Sequence, residues 1–387
     1  MKSSNILIRT FMSGTLFCLM FYSTCFAQEE SSNSLVMEEI VERNSGTEDQ
    51  EVDLTELTEN LNELLEHPVN INKASIEELR AVGIFTEIQI KNLHAHIERF
   101  GKLLAIPELQ VVDGFEESFI RQITPYIVVG REIDAPNASF SRMIKEGRHQ
   151  LILRTQWIPQ ERKGFTTTNE GPEYLGDPRS VYLRYKFNFM KKLSWGITAE
   201  KDAGEQFFKG AQKQGFDFYS MHFAIRDVGP FKIILVGDYQ LSYGQGLTLW
   251  TGLSGGKASD PAMIRKSGKG ILPYSSSNEV YFKRGDRFSL KWKKFQPDFF
   301  FSIRNMDGNL KQAGDTLTSD EYLTSFQETG YHRTESEIAD KNVVREILYG
   351  SHVGFQKRNF QIGFTGVHMQ YTLPLEKNLE PYNQFEF

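Results

Sequence analysis

Between Val181 and Ala199 the chain alternates apolar and polar side chains with a period of two. Val181, Leu183, Tyr185, Phe187 and Phe189 alternate with Tyr182, Arg184, Lys186 and Asn188. After Lys191-Lys192, Leu193, Trp195, Ile197 and Ala199 alternate with Ser194, Gly196, Thr198 and Glu200. Only an extended strand sends successive side chains to opposite faces, so this stretch predicts an antiparallel hairpin with one apolar and one polar face. A second hairpin is expected from Tyr219, Met221, Phe223 and Ile225, through the turn Asp227-Val228-Gly229-Pro230, to Phe231, Ile233, Leu235 and Tyr239. Further strands are expected at 151–158, 279–284, 287–294, 298–304, 345–357 and 359–372, about ten in all.

Strands of this length, greasy on one face and charged on the other, suit a membrane barrel, whose outer face meets lipid and whose inner face meets water. The 30 Phe and 15 Tyr are enough to populate interfacial girdles as well. A soluble sandwich, with the apolar face packed on a second sheet, is the competing expectation. In the barrel reading Arg184 and Lys186, together with Glu200, Arg226, Arg304 and Asp307, are lumen charges.

The N-terminus points to export. Lys2 and Arg9 precede a short apolar run to Phe26, Cys25-Phe26-Ala27 offers a cleavage site, and Gln28-Glu29-Glu30 follows, so residues 1–27 read as a signal peptide. Cys18 and Cys25 are the only cysteines, and both fall in that segment. The remaining chain therefore has no disulfide, thiolate nucleophile or cysteine metal site. Residues 28–52 read as an acidic flexible leader, and 28–66 carry one basic against thirteen acidic residues. Residues 131–387 carry a net +6 and the whole chain −6, which excludes a nucleic-acid-binding polycation.

From Asp53 the pattern turns helical. Leu54, Leu57, Leu61, Leu64 and Leu65 fall at helical spacing. Four short helices are expected over 69–129, with a capping box at Ser75 and Glu78, a second helix over 87–100, a third from Ile106 and a fourth over 118–127. Val69-Asn70-Ile71-Asn72-Lys73-Ala74-Ser75, Glu77-Glu78-Leu79, Phe100-Gly101-Lys102, Ile106-Pro107-Glu108-Leu109 and Pro125-Tyr126-Ile127-Val128-Val129 resemble the tandem helix-hairpin-helix fold of the competence DNA receptor family. The resemblance implies a small all-α domain over 53–130, followed by an all-β, antiparallel, barrel-type domain over 131–387. Gly237-Asp238-Tyr239-Gln240, Gly244-Gln245-Gly246-Leu247, Tyr281-Phe282-Lys283-Arg284-Gly285, Gly330-Tyr331-His332-Arg333-Thr334 and Pro381-Tyr382-Asn383 also resemble a Bacteroidetes family of outer-membrane proteins with this N-terminal module. That likeness implies the outer membrane as location, with membrane lipid and a periplasmic protein as partners. It also implies a truncated member, since the family continues with further strands beyond this point.

In DNA-binding hairpins of this kind, two glycines let backbone N–H groups cradle a phosphate. Here Phe85 stands at the second glycine position after Gly83-Ile84, and Glu116 at the one after Gly114-Phe115. Bulk in one nest and a carboxylate in the other oppose phosphate. Lys73, Lys91 and Lys102 could still touch a DNA backbone, so DNA uptake is the weaker expectation beside a non-enzymatic role in envelope transport, assembly or scaffolding.

No catalytic constellation emerges. Gly252-Leu253-Ser254-Gly255-Gly256 matches a nucleophile-elbow pattern, but no convincing helix follows it and a glycine loop is expected. The eight histidines show no metal-ligand spacing, and neither a metal nor a cofactor is expected. His332 and Arg333, with Glu335 and Glu337, form the densest polar cluster and are expected as a loop hydrogen-bond network.

Overall fold

A computed structural model describes residues 64–65, 68–82, 84–130, 139–160, 162–166, 174–190, 192–251, 268–292, 294–312, 321–357 and 360–376. These all belong to one compact unit, Ile40–Phe387. The expected signal segment, the acidic leader, most of the helix from Asp53, Gly83, the 252–256 motif and the Pro-Tyr-Asn segment lie outside them.

The first described elements are β1 (Val69–Asn70), α1 (Ile76–Val82), α2 (Glu87–Phe100), a 3-10 turn over Ile106–Val111, α3 (Glu117–Ile123) and β2 (Ile127–Val128). Helix α1 starts at the expected capping box, with Glu78 N–H donating to Ser75 Oγ (3.2 Å) and Ser75 N–H donating to the Glu78 carboxylate (2.9 Å). Thr86 and Gln89 form a second box at the start of α2, which stops at Gly101. Ile71, Leu79, Ile84, Ile90, Leu93, Leu109 and Ile123 are buried together with Tyr126.

The tandem helical domain is nevertheless not what forms. Among the described residues strand makes up 46%, and the helices are few and short. Pro107 leaves only a 3-10 turn where a third helix was expected. Pro125 ends the fourth helix early, because its ring and missing N–H cannot continue the ladder. The chain after it extends, and Ile127–Val128 pairs in parallel with Val69–Asn70. Asn72 ties this closure, accepting from Leu103 N–H and donating to the carbonyls of Leu103 and Val129.

Helix α4 (Phe140–Glu146) leads into β3 (Arg148–Trp157), β4 (Arg179–Phe189), β5 (Leu193–Lys201), β6 (Phe218–Val228), β7 (Phe231–Ser242), β8 (Gly270–Pro273), β9 (Lys283–Leu290) and β10 (Phe295–Met306). After them come β11 (Gly308–Gln312), β12 (Glu321–Phe326), α5 (Glu335–Ala339), β13 (Val344–Lys357) and β14 (Phe360–Tyr371). Nine strands run in the order β14-β13-β10-β9-β7-β6-β5-β4-β3, with β8 added beside β7. The two separate strands expected at 279–284 and 287–294 are one, β9, because Val280 to Phe282 turn away from the ladder.

The sheet is not closed into a barrel. Among the described residues β3 pairs only with β4, and β14 only with β13. Period-two alternation separates two faces but is silent on whether the first and last strands meet, which is why the sequence pattern could not decide closure. No described helix is long and apolar enough to cross a membrane.

Two glycines mark the tightest strand approach. Gly237 on β7 faces Gly285 on β9, both at positive φ. A Cβ on Gly285 would lie 2.3 Å from the Phe301 carbonyl oxygen, and one on Gly237 2.3 Å from that of Met221. Gly285→Val is expected to destabilise the sheet by about 2 kcal/mol, through positive-φ strain and backbone displacement. Urea unfolding of the purified chain checks this.

Candidate functional site

Register assigns each strand residue to a face. On one face Leu151 is opposite Tyr185, Tyr185 opposite Ile197, and Ile197 opposite Met221. The same face carries Phe223, Val236, Phe288, Phe299, Phe301, Ile303, Tyr349, Val353 and Phe364, all at least one-third exposed. Asp286 and the Arg284–Asp238 pair are charged exceptions on it.

The opposite face is buried and holds most of the strand charges. Arg184, Thr198 and Ser220 form one cross-strand row. Lys283 and Arg304 both donate to Glu346, at 2.6 and 3.1 Å, and all three are buried. Tyr243 donates to Asp298 (3.0 Å), which also accepts from Ser289. Between these charges Ala224, Leu235, Leu241, Phe300 and Leu348 pack with Leu249 and Ile271 from the segment after β7.

The two ends of the sheet also differ. At one, β4–β5, β6–β7, β9–β10 and β13–β14 are joined by two to four residues. At the other, β5–β6, β7–β9 and β10–β13 are joined by long excursions, 202–217, 243–282 and 307–343. The most concentrated chemistry lies there.

His332, 2% exposed, is its centre. Its Nδ1 bonds Asp217 Oδ2 (2.6 Å) and its Nε2 bonds Asp307 Oδ2 (3.1 Å), while its backbone N–H donates to Glu205 (2.9 Å). Asp217 also accepts from Lys341 Nζ (2.8 Å) and from Gln212. Asp307 accepts from Asn342 N–H (2.7 Å), and Glu205 from Asp202 N–H (2.8 Å). Ligand oxygens of Glu205 and Asp217 lie within 4.8 Å of a His332 ring nitrogen and of each other, and so do those of Glu279 and Asp307.

Four carboxyl groups thus surround one imidazole and one ammonium. Burial opposes charge on His332, but its bonds to Asp217 and Asp307 outweigh it and raise its pKa to about 10. Burial, then the nearby Asp217 charge, pushes Glu205 up to about 7. The same two causes hold Glu279 well above the carboxylate range. Burial pushes Asp307 up, but the bonds from His332 and Asn342 reverse this and leave it lowered. The cluster is therefore an imidazolium clamped by two carboxylates, with two further carboxyls that burial and like charge discourage from ionising.

Of the residues singled out in the sequence, His332 and Asp307 join this cluster, Asp307 having been expected as a lumen charge. Arg333 turns instead to Glu337 (2.8 Å) and stacks over Tyr174 and Tyr331. Glu335 is exposed in the first turn of α5. Arg184 and Lys186 lie on β4, in the body of the sheet. Glu205, Asp217, Glu279 and Lys341 were missed. They sit up to 127 positions from His332, and only the shared end of the sheet brings them together.

Gly83 lies outside the described residues, and Ile84 and Phe115 are buried. Phe85 packs against Phe115 and Phe119, and the Gly114 carbonyl accepts from Gln89 (2.7 Å). Lys73, Lys91 and Lys102 are exposed. No family model, curated protein or solved structure matches the chain.

Asp217→Asn removes the negative charge that holds both His332 and Lys341, and it is expected to cost about 3 kcal/mol because a buried cation loses its partner. Glu335→Ala, at the exposed end of the same loop, is expected to stay within about 0.5 kcal/mol. Equilibrium unfolding of the two variants side by side checks the contrast.

Proposed function

We propose that this is an exported, non-enzymatic envelope protein, seated in the outer membrane with the apolar face of its sheet against lipid. It acts there as an interaction or scaffold protein. The observation that carries the reading is the inverted distribution of side chains. Large apolar residues are exposed on one face, while Arg184, Lys283, Arg287, Asp298, Arg304 and Glu346 are buried on the other.

A large apolar side chain left in water forfeits about 1.5–3 kcal/mol of burial. About a dozen on one face, each between a third and three-quarters exposed, amount to on the order of 10 kcal/mol, comparable to the net stability of a domain. Something apolar must cover the face, and acyl chains do so without demanding a complementary shape. Short turns at one end and long excursions at the other are the asymmetry of outer-membrane strands, with short turns on the periplasmic side. The chain enters β3 at Arg148, opposite Asn188 and so at the short-turn end, which puts the helical segment 69–130 before that side of the sheet. That agrees with a periplasmic interaction module. The outer backbone groups of β3 and β14 then require protein beside them, since lipid offers no hydrogen bonds.

Produced with its leader, the full chain is expected in the outer-membrane fraction, resistant to high salt and released by detergent. In vesicles of brominated lipid, Trp157 and Trp195 fluorescence should be quenched. Phe301→Arg should destabilise the vesicle-bound protein by about 2 kcal/mol, whereas an exposed position in water would change by less than about 0.5 kcal/mol. A chain that stays soluble without detergent and shows no quenching overturns the reading.

A further inference from the structure

The long-loop end holds an arrangement that a hydrogen-bond network alone does not explain. Glu279 brings a carboxylate within 4.8 Å of the Asp307 and His332 ligand atoms, yet it makes no hydrogen bond or ion pair with any described residue. The residue is half-buried at this end of the sheet. The chain makes room for it. Gly330, two residues before His332, has φ +69°, and a Cβ there would stand 3.1 Å from Glu279 Cγ and 3.2 Å from Cδ. A carboxyl beside a buried imidazole, with no protein donor and admitted by a glycine, is open to a ligand shared with that imidazole.

The other two groups are already set up as ligands. Asp217 takes the Nδ1 side of His332 and is itself held by Lys341 and Gln212. This leaves Nε2 turned toward Asp307 Oδ2, 3.1 Å away. A carboxylate behind the non-ligating nitrogen is the support that metal-bound histidines have, because it fixes the ring's orientation and raises its basicity. Two ligand atoms on a tetrahedral zinc ion lie about 3.3 Å apart, given bonds of about 2.0–2.1 Å. The Nε2–Oδ2 separation needs little change, and a rotation of Glu279 supplies the third oxygen.

We propose that His332 Nε2, Asp307 and Glu279 form a binding site for a zinc-class divalent metal ion that joins the β7–β9 loop to the β10–β13 loop. The ion takes the place of the proton between Nε2 and Asp307 and of any proton on Glu279, and these protons pass to solvent. One imidazole with two carboxylates favours zinc over calcium, which needs six to eight oxygens. Glu205 is tied to two backbone N–H groups and serves as an anchor for the loop.

The test uses the full-length protein in detergent, stripped with a chelator and re-equilibrated with zinc. The expected result is one tightly held zinc per chain by elemental analysis, a raised thermal midpoint, and an absorption-edge spectrum with nitrogen and oxygen ligands only. Glu279→Gln should weaken zinc at least about tenfold in competition with a chromophoric chelator, and Glu335→Gln should not. If Glu279→Gln fails to fold, Gly330→Ala, which crowds Glu279, is measured in its place with the same expectation. Absence of stoichiometric zinc, sulfur in the ligand shell, or equal affinity in the variant overturns the site. Because the ligands sit on loops, the outcome does not depend on whether the sheet meets lipid.

Discussion

Backbone pairing across the sheet is the constraint on which the remaining features rest. Once Phe301 stands opposite Asp286 on one side and Tyr349 on the other, every second residue of three strands is committed to one face. A slip of one position would carry Arg287, Asp298 and Arg304 to the apolar side and Phe288, Phe299 and Ile303 to the charged side. The buried ion pairs could not survive that exchange, since Arg304 reaches Glu346 only in its present register. Register and charge pairing therefore reinforce each other, and the short turns that set the register lie away from the cluster around His332.

Alternation, the short turns after β4 and β6 and the cap of α1 were read from the sequence because each depends on neighbours a few residues away. The cap of α2 is equally local but was not singled out. Ser75 finds Glu78, and Thr86 finds Gln89, within one helical turn. Closure of the sheet was not legible, because it depends on whether two strands some 200 residues apart meet. The helical segment shows the same limit. Its helices begin near the expected places, but Pro107 and Pro125 shorten the later ones, and the pairing of Val69 with Ile127 is a long-range event.

Two members of the loop cluster, His332 and Asp307, were singled out in the sequence, but nothing there joined them. His332 stood out because Arg333, Glu335 and Glu337 crowd the sequence beside it, yet those neighbours go elsewhere. The residues that bond it are isolated in the sequence, and each has an ordinary surface appearance there. Strand direction collects them. Glu205 and Asp217 flank the β5–β6 excursion, Glu279 precedes β9, Asp307 follows β10, and Lys341 precedes β13. Antiparallel order puts all of these at one end, whatever the loops between them do.

That geometry also explains why the cluster can hold so much charge. In the body of the sheet Lys283 and Arg304 share Glu346, a partnership fixed by register. At the loop end there is no ladder to impose pairing, so four carboxyls can gather around a single imidazole. The cost of that imbalance is met locally, by Lys341, by backbone N–H donors and by the raised pKa values of Glu205 and Glu279. Glu279 is the one carboxyl with no hydrogen-bond donor among the described residues, and it is also the one for which the chain supplies a glycine in place of a side chain. A carboxyl left without a protein donor, accommodated by a glycine and beside a buried imidazole, is placed to share a ligand with that imidazole.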